Sequence, residues 1–123
     1  NVGIGTQTPT VKLDVKGTIS GDTITASSDY RLKEDITPLL LEEYSVDKIN
    51  PVYFKFKNSG KESIGVIAHE LQEYYPFLVE GEKDGEKTQT VNYNGLIGVL
   101  IKEIQYLKMR VKLLENKIES KQI

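Results

Sequence analysis

The chain has 123 residues, room for one small domain, and with 16 Lys and Arg against 18 Asp and Glu it has no basic face to neutralise a nucleic-acid backbone. Cysteine is absent and His69 is the single histidine, which removes disulfide frameworks and nearly all zinc, iron–sulfur and copper sites, so no metal or other cofactor is expected. No apolar run approaches the roughly 20 residues of a bilayer span, Asn1-Val2-Gly3-Ile4-Gly5 is not a secretion signal, and the segment is expected to come from a longer protein without a membrane partner.

From Asn1 to Thr25, glycines at 3, 5, 17 and 21 surround the alternating run Val11-Lys12-Leu13-Asp14-Val15-Lys16, whose apolar residues share one face of a strand. That run is too short for an independent sheet, so these strands are expected to join something larger or other copies of the chain. Gly3-Ile4-Gly5-Thr6 lacks the lysine and spacing of a phosphate loop and reads as strand and turn.

The polar run Ser28-Asp29-Tyr30-Arg31-Leu32-Lys33-Glu34-Asp35-Ile36 holds a hydroxyl and an amine five residues apart. On an α-helix that spacing leaves the two side chains about 140° apart, and on a strand it sends them to opposite faces. Spacing therefore makes no dyad, and the plain reading is that Ser28 with Asp29 caps a short helix begun by Tyr30-Arg31-Leu32-Lys33. Arg31 has three candidate partners, Asp29, Glu34 and Asp35.

From Thr37-Pro38-Leu39-Leu40 to Asp47-Lys48-Ile49-Asn50 a short helix is predicted, stopped by Pro51. Val52-Tyr53-Phe54-Lys55-Phe56-Lys57 alternates, Asn58-Ser59-Gly60-Lys61 turns the chain, and Ser63-Ile64-Gly65-Val66-Ile67 completes a hairpin. Ala68 to Tyr75 reads as a helix ending before Pro76, Phe77-Leu78-Val79 as a short buried strand, and Gly81 to Thr90 as a charged loop. His69, near that helix start, reads as a packing and hydrogen-bonding residue before it reads as a base. Tyr44, Tyr53, Tyr74 and Tyr75 more readily fill a core or interface than form a sugar platform.

The last third carries a heptad. Ile97, Leu100, Ile104, Leu107, Val111, Leu114 and Ile118 keep an unbroken 3–4 spacing, with β-branched residues at a and leucine at d. A coiled coil over about 95–119 is predicted, against the alternative of an amphipathic helix packed on its own domain. Glu103 and Arg110 fall at g, five residues before Lys108 and Glu115 at e, a charge pattern that favours parallel neighbours in register. By itself the a/d chemistry leans to a dimer.

These blocks together carry a resemblance. Ser28-Asp29-Tyr30-Arg31-Leu32-Lys33, then Ile49-Asn50-Pro51-Val52-Tyr53-Phe54-Lys55-Phe56, Ile64-Gly65-Val66-Ile67-Ala68-His69-Glu70-Leu71-Gln72 and the helix from Tyr93 to Leu114 resemble the intramolecular chaperone auto-processing domain of phage tailspikes and tail fibres, the peptidase S74 family. Val2-Gly3-Ile4-Gly5-Thr6, Pro9 and Lys12-Leu13-Asp14-Val15 with Gly17 are similar to the glycine-rich strand repeat that precedes such domains. The resemblance implies a module that forms a homotrimer, drives folding of the β-stalk in front of it and then cuts itself off. It carries the nucleophile onto Ser28, its basic partner onto Lys33 and the scissile bond onto Ser27–Ser28, with Asp29, Arg31 and His69 as supporting candidates. It also implies a virion fibre precursor assembled in the host cytoplasm, from which the released domain is lost. The expected organisation is α+β: residues 1–27 as the end of a β-stranded stalk, and 28–123 as the chaperone with its helical bundle. The competing reading is a structural trimerisation cap that is never removed; a glycan-binding fibre tip is a third.

Overall fold

Three two-stranded sheets and one long helix make up the computed structural model, which describes residues 1–121. They fall into two compact units, Asn1–Thr37 and Pro38–Ile123. The mixed α/β character, the small sheets and the long C-terminal helix agree with the sequence reading.

In the first unit, β1 (Val2–Ile4) runs parallel to β2 (Leu13–Val15), with Val2 opposite Leu13 and Ile4 opposite Val15. Only residues 5–12 join them, fewer than the dozen or so that a parallel crossover normally takes. Gly5 makes the short return feasible: its φ is +75°, and a Cβ there would lie 2.8 Å from the Lys16 carbonyl oxygen. The returning loop folds over the polar face. Asp14 is buried at 8% exposure, accepts from Thr10 N at 3.1 Å and Thr10 Oγ1 at 3.3 Å, and pairs with Lys16 at 3.3 Å. The Thr10 amide is the main reason its carboxyl sits below the usual aspartate value. The apolar alternation thus faces outward, with Val2, Ile4 and Leu13 57–59% exposed.

The second unit begins with a correction. The helix expected between Thr37 and Asn50 is only a turn, closed by Tyr44 N donating to Leu40 O at 3.0 Å, and a 3-10 helix over Val46–Lys48. Ser45 ends the turn and caps the 3-10 helix, its Oγ accepting from Asp47 N at 3.1 Å, because a serine side chain competes with helical backbone bonding. Tertiary bonds then fix the segment: the Glu103 carboxylate accepts from Ser45 Oγ and Val46 N, and Tyr75 Oη donates to Ser45 O.

The expected hairpin forms from β3 (Val52–Lys55) and β4 (Glu62–Gly65), antiparallel, with Tyr53 opposite Ile64 on the outer face. Tyr93 ties it down, accepting from Val66 N at 3.1 Å and lying so close over Gly65 that a Cβ there would collide with Tyr93 Oη. Helix α1 is Ala68–Gln72. The strand expected at Phe77-Leu78-Val79 is mostly a 3-10 helix, Pro76–Leu78, since Pro76 at its first position presets a helical φ. Only Val79 of the three enters a strand, β5 (Val79–Glu80), which pairs with β6 (Thr90–Val91) across the charged loop.

Leu71, Tyr75, Leu78, Val79 and Val99 form the buried core, with Leu39, Tyr44, Val46 and Ile49 packed around it. Tyr44 lies 5.6 Å from the rings of both Tyr75 and Phe77, so two of the four tyrosines weighed as a sugar platform build the core. Lys48 stands over the Tyr74 ring at 5.0 Å.

Burial, then Glu103 and Tyr44, push the Tyr75 phenol above its ordinary value of 10.0. The unfolded chain therefore releases this proton first, so Tyr75's contribution is intact below about pH 10 and is lost as pH rises through the folded value. Tyr75→Phe should cost about 1 kcal/mol at neutral pH by leaving Ser45 O without its donor. It should also flatten the alkaline fall in urea-unfolding stability followed by circular dichroism; the same alkaline fall in both proteins would refute this role.

Helix α2 spans Asn94–Lys121, about 42 Å at 1.5 Å per residue. Two faces of it are apolar for different reasons. Leu96 and Val99 pack on the core, whereas every a and d residue from Ile97 to Ile118 is 51–58% exposed. The heptad stripe is therefore not the face by which the helix packs on its own domain. Both g residues already have partners within the chain: Glu103 holds Ser45 and Val46, while Arg110 bonds Tyr106 Oη at 3.0 Å and lies over its ring. The sequence reading gave both to a neighbouring chain, because helix register alone does not show what else comes within reach. No helix among the described residues is long and apolar enough to cross a membrane.

Candidate active site

The run around Ser28 solves its spacing problem with a turn too tight for an α-helix. Tyr30–Leu32 is a single 3-10 turn, closed by Leu32 N donating to Asp29 O at 3.0 Å and Lys33 N to Tyr30 O at 3.1 Å. Asp29 before it (φ −62°, ψ 135°) and Lys33 after it (φ −118°, ψ 144°) are extended. The chain thus reverses between them, and Lys33 Nζ donates to Ser28 Oγ at 2.8 Å. A hydroxyl and an amine that would diverge on either regular element converge here within one chain.

Asp29 acts as the cap that the sequence suggested. Its Oδ1 accepts from Arg31 N at 2.9 Å and Arg31 Nε at 3.0 Å, and its Oδ2 accepts from Arg31 Nη2 at 2.9 Å. Of the three carboxylates within reach in sequence, Arg31 takes Asp29. Its side chain, then its backbone amide, hold the Asp29 carboxyl below the usual value. Ser28 and Lys33 are both exposed in the single chain, as are Tyr30 and Leu32.

A lysine beside a serine is chemically apt for acyl transfer. The hydroxyl is a weak nucleophile until a base takes its proton, and an amine can do so only when neutral, a form that withdrawal from water favours. Ser27 lies next in the chain, exposed like its neighbour.

His69 belongs to the second unit, at the start of α1, where it lines an open cavity of about 300 Å³ with Glu82, Asp84, Lys87 and Gln89 of the charged loop. Among the described residues no group of three His, Cys, Asp or Glu side chains could hold a metal ion. Sequence reasoning missed the anchoring roles of Tyr93 and Glu103. A tyrosine just ahead of α2 carries no signal of its own, and the heptad position of Glu103 pointed elsewhere.

The chain is similar to the long tail fiber protein Gp37 of Enterobacteria phage K3, 34% identical over 107 residues that cover 81% of this chain and 9% of that protein. The Gp37 of Enterobacteria phage T2 matches at 34% over 107 residues, 81% of this chain and 8% of that protein. The Gp37 of Escherichia phage AR1 matches at 36% over 80 residues, 58% and 7%. The chain thus spans less than a tenth of the length of these relatives. Residues 28–80 match the Peptidase S74 family, so the turn that joins Ser28 to Lys33 opens the matched segment and Glu80 of β5 closes it. The family matched over that segment is described as the chaperone of endosialidase.

Proposed function

We propose that this chain is the self-processing chaperone end of a phage tail fibre: it assembles into a homotrimer through α2, guides folding of the β-stalk to which it is joined, and then cuts the Ser27–Ser28 bond. The 2.8 Å contact between Lys33 Nζ and Ser28 Oγ, at the first residue of the matched family segment, is the observation that carries the reading. In the reaction Ser28 Oγ attacks the Ser27 carbonyl carbon while Lys33, in its neutral form, takes the hydroxyl proton. The Ser27–Ser28 C–N bond breaks, the proton passes to the departing Ser28 amine, and an ester joins Ser27 to Ser28 Oγ. Water then hydrolyses that ester, leaving a Ser27 carboxylate and a free Ser28 hydroxyl.

The domain boundary of this reading is the scissile bond: residues 1–27 are client and 28–123 are chaperone. The exposed apolar face of β1 and β2 suits a strand pair that continues into a larger stalk. Because the Ser28–Lys33 pair is exposed in one chain, cover supplied by neighbouring copies would favour the neutral amine and couple the cut to assembly. The fibre precursor is the natural location of such a module, in keeping with the tail-fibre relatives.

Intact-mass spectrometry of freshly purified chain, followed through incubation, tests the reading. Two products, residues 1–27 and 28–123, should appear together. A mass that stays at the full chain under assembling conditions would favour the second reading, a cap that ends the fibre and remains in place.

A further inference from the structure

We propose that Asp29 and Arg31 are positioning residues, a clamp that holds Lys33 against Ser28; this rests on the Ser–Lys reading above. The turn they stabilise has no apolar support, with Tyr30 76% and Leu32 72% exposed, so polar bonding must hold its shape. Asp29 accepts three of those bonds with one carboxylate: it caps the turn through Arg31 N and holds the Nε–Nη2 edge of the guanidinium. The fork geometry of arginine matches the two carboxylate oxygens, which a lysine at 31 could not do.

The clamp also settles a competition between charges. Lys33 is close in sequence to Asp29, Glu34 and Asp35, and an ammonium beside a free carboxylate pairs with it in preference to a hydroxyl. With both Asp29 oxygens engaged by Arg31, that carboxylate no longer draws Lys33 away from Ser28. Arg31 thus serves the dyad by occupying Asp29, and Asp29 serves it by fixing the turn. Neither touches the reacting atoms.

Two measurements test the clamp. Cleavage followed by intact mass should slow by about 100-fold in Asp29→Ala, the scale of loss for a misplaced catalytic group. Asp29→Asn, which keeps an oxygen for Arg31 N, should recover part of that rate, and Arg31→Lys should lose rate despite keeping the charge. Melting temperature and oligomeric state should not change in any of them. Asp29→Ala cleaving at the unaltered rate would overturn the proposal. The second measurement needs no cleavage: in isotope-labelled chain, a nuclear Overhauser contact between Ser28 Hβ and Lys33 Hε should be present and should vanish in Asp29→Ala while signals from residues 38–121 stay in place. Persistence of that contact in Asp29→Ala overturns the clamp even if the chain never cuts itself; an uncut unaltered chain would by contrast overturn the Ser–Lys reading and leave the contact to decide the clamp.

Discussion

Ser28→Ala is expected to abolish the cut, and Lys33→Ala to slow it by about 1,000-fold, the range for losing a positioned general base. Both variants should fold and assemble as the unaltered chain does, because Ser28 and Lys33 are exposed and their side chains bond to each other. The two losses should also fail to add: without the nucleophile, nothing remains for the amine to activate, so the double variant should resemble Ser28→Ala. The geometry makes a sharper statement. Ser28 and Lys33 meet across a turn of their own chain, so assemblies mixing Ser28→Ala chains with Lys33→Ala chains should yield no products above the Lys33→Ala rate. Products at the unaltered rate would mean that a lysine from one chain serves the serine of another, and would sink the local dyad.

That geometry explains which parts of the chain were legible in its sequence. Periodic elements were: the hairpin of Val52 to Gly65 and the helix from Asn94 follow directly from alternation and from heptad spacing. Turns were harder. Residues 28 and 33 are unrelated on a helix or a strand, and it is an extended–3-10–extended path, with the Asp29–Arg31 bonds across its turn, that brings them together. The family resemblance therefore reached the pair that spacing could not. The helix expected from Thr37 to Asn50 was lost for a related reason: its apolar residues do repeat at turn spacing, but Ser45 finds better partners in Asp47 N, Glu103 and Tyr75, two of them far away in sequence. The alternation in residues 11–16 correctly marked a strand, yet gave no sign that the Asp14 face would be the covered one, since the cover is a loop closed by Gly5.

Leu107→Glu is expected to abolish self-association while leaving the single-chain fold unchanged. Leu107 is a d residue, 58% exposed, in a part of α2 that makes no core contact, so its own chain gains little from its side chain. In an assembly it would be buried in every copy. Each copy would then lose about 2 kcal/mol of apolar burial and gain a carboxylate whose desolvation costs more still. Summed over three chains, this exceeds the 1.4 kcal/mol per tenfold in affinity many times over. Leu113→Glu is the matching control: Leu113 is 50% exposed on the same stretch of helix but lies at c, off the stripe, and its substitution should leave assembly intact. Glu103 and Arg110 are engaged within their own chain, so an association carried by the apolar spine should survive high salt. Sedimentation equilibrium should give three chains for the unaltered protein and for Leu113→Glu, and one for Leu107→Glu. Two chains for the unaltered protein would overturn the trimer, and equal association of the two variants would remove the heptad from the interface. If assembly supplies the cover that the Ser28–Lys33 pair lacks in one chain, Leu107→Glu should slow the cut in step with its loss of association, and Leu113→Glu should cut at the unaltered rate.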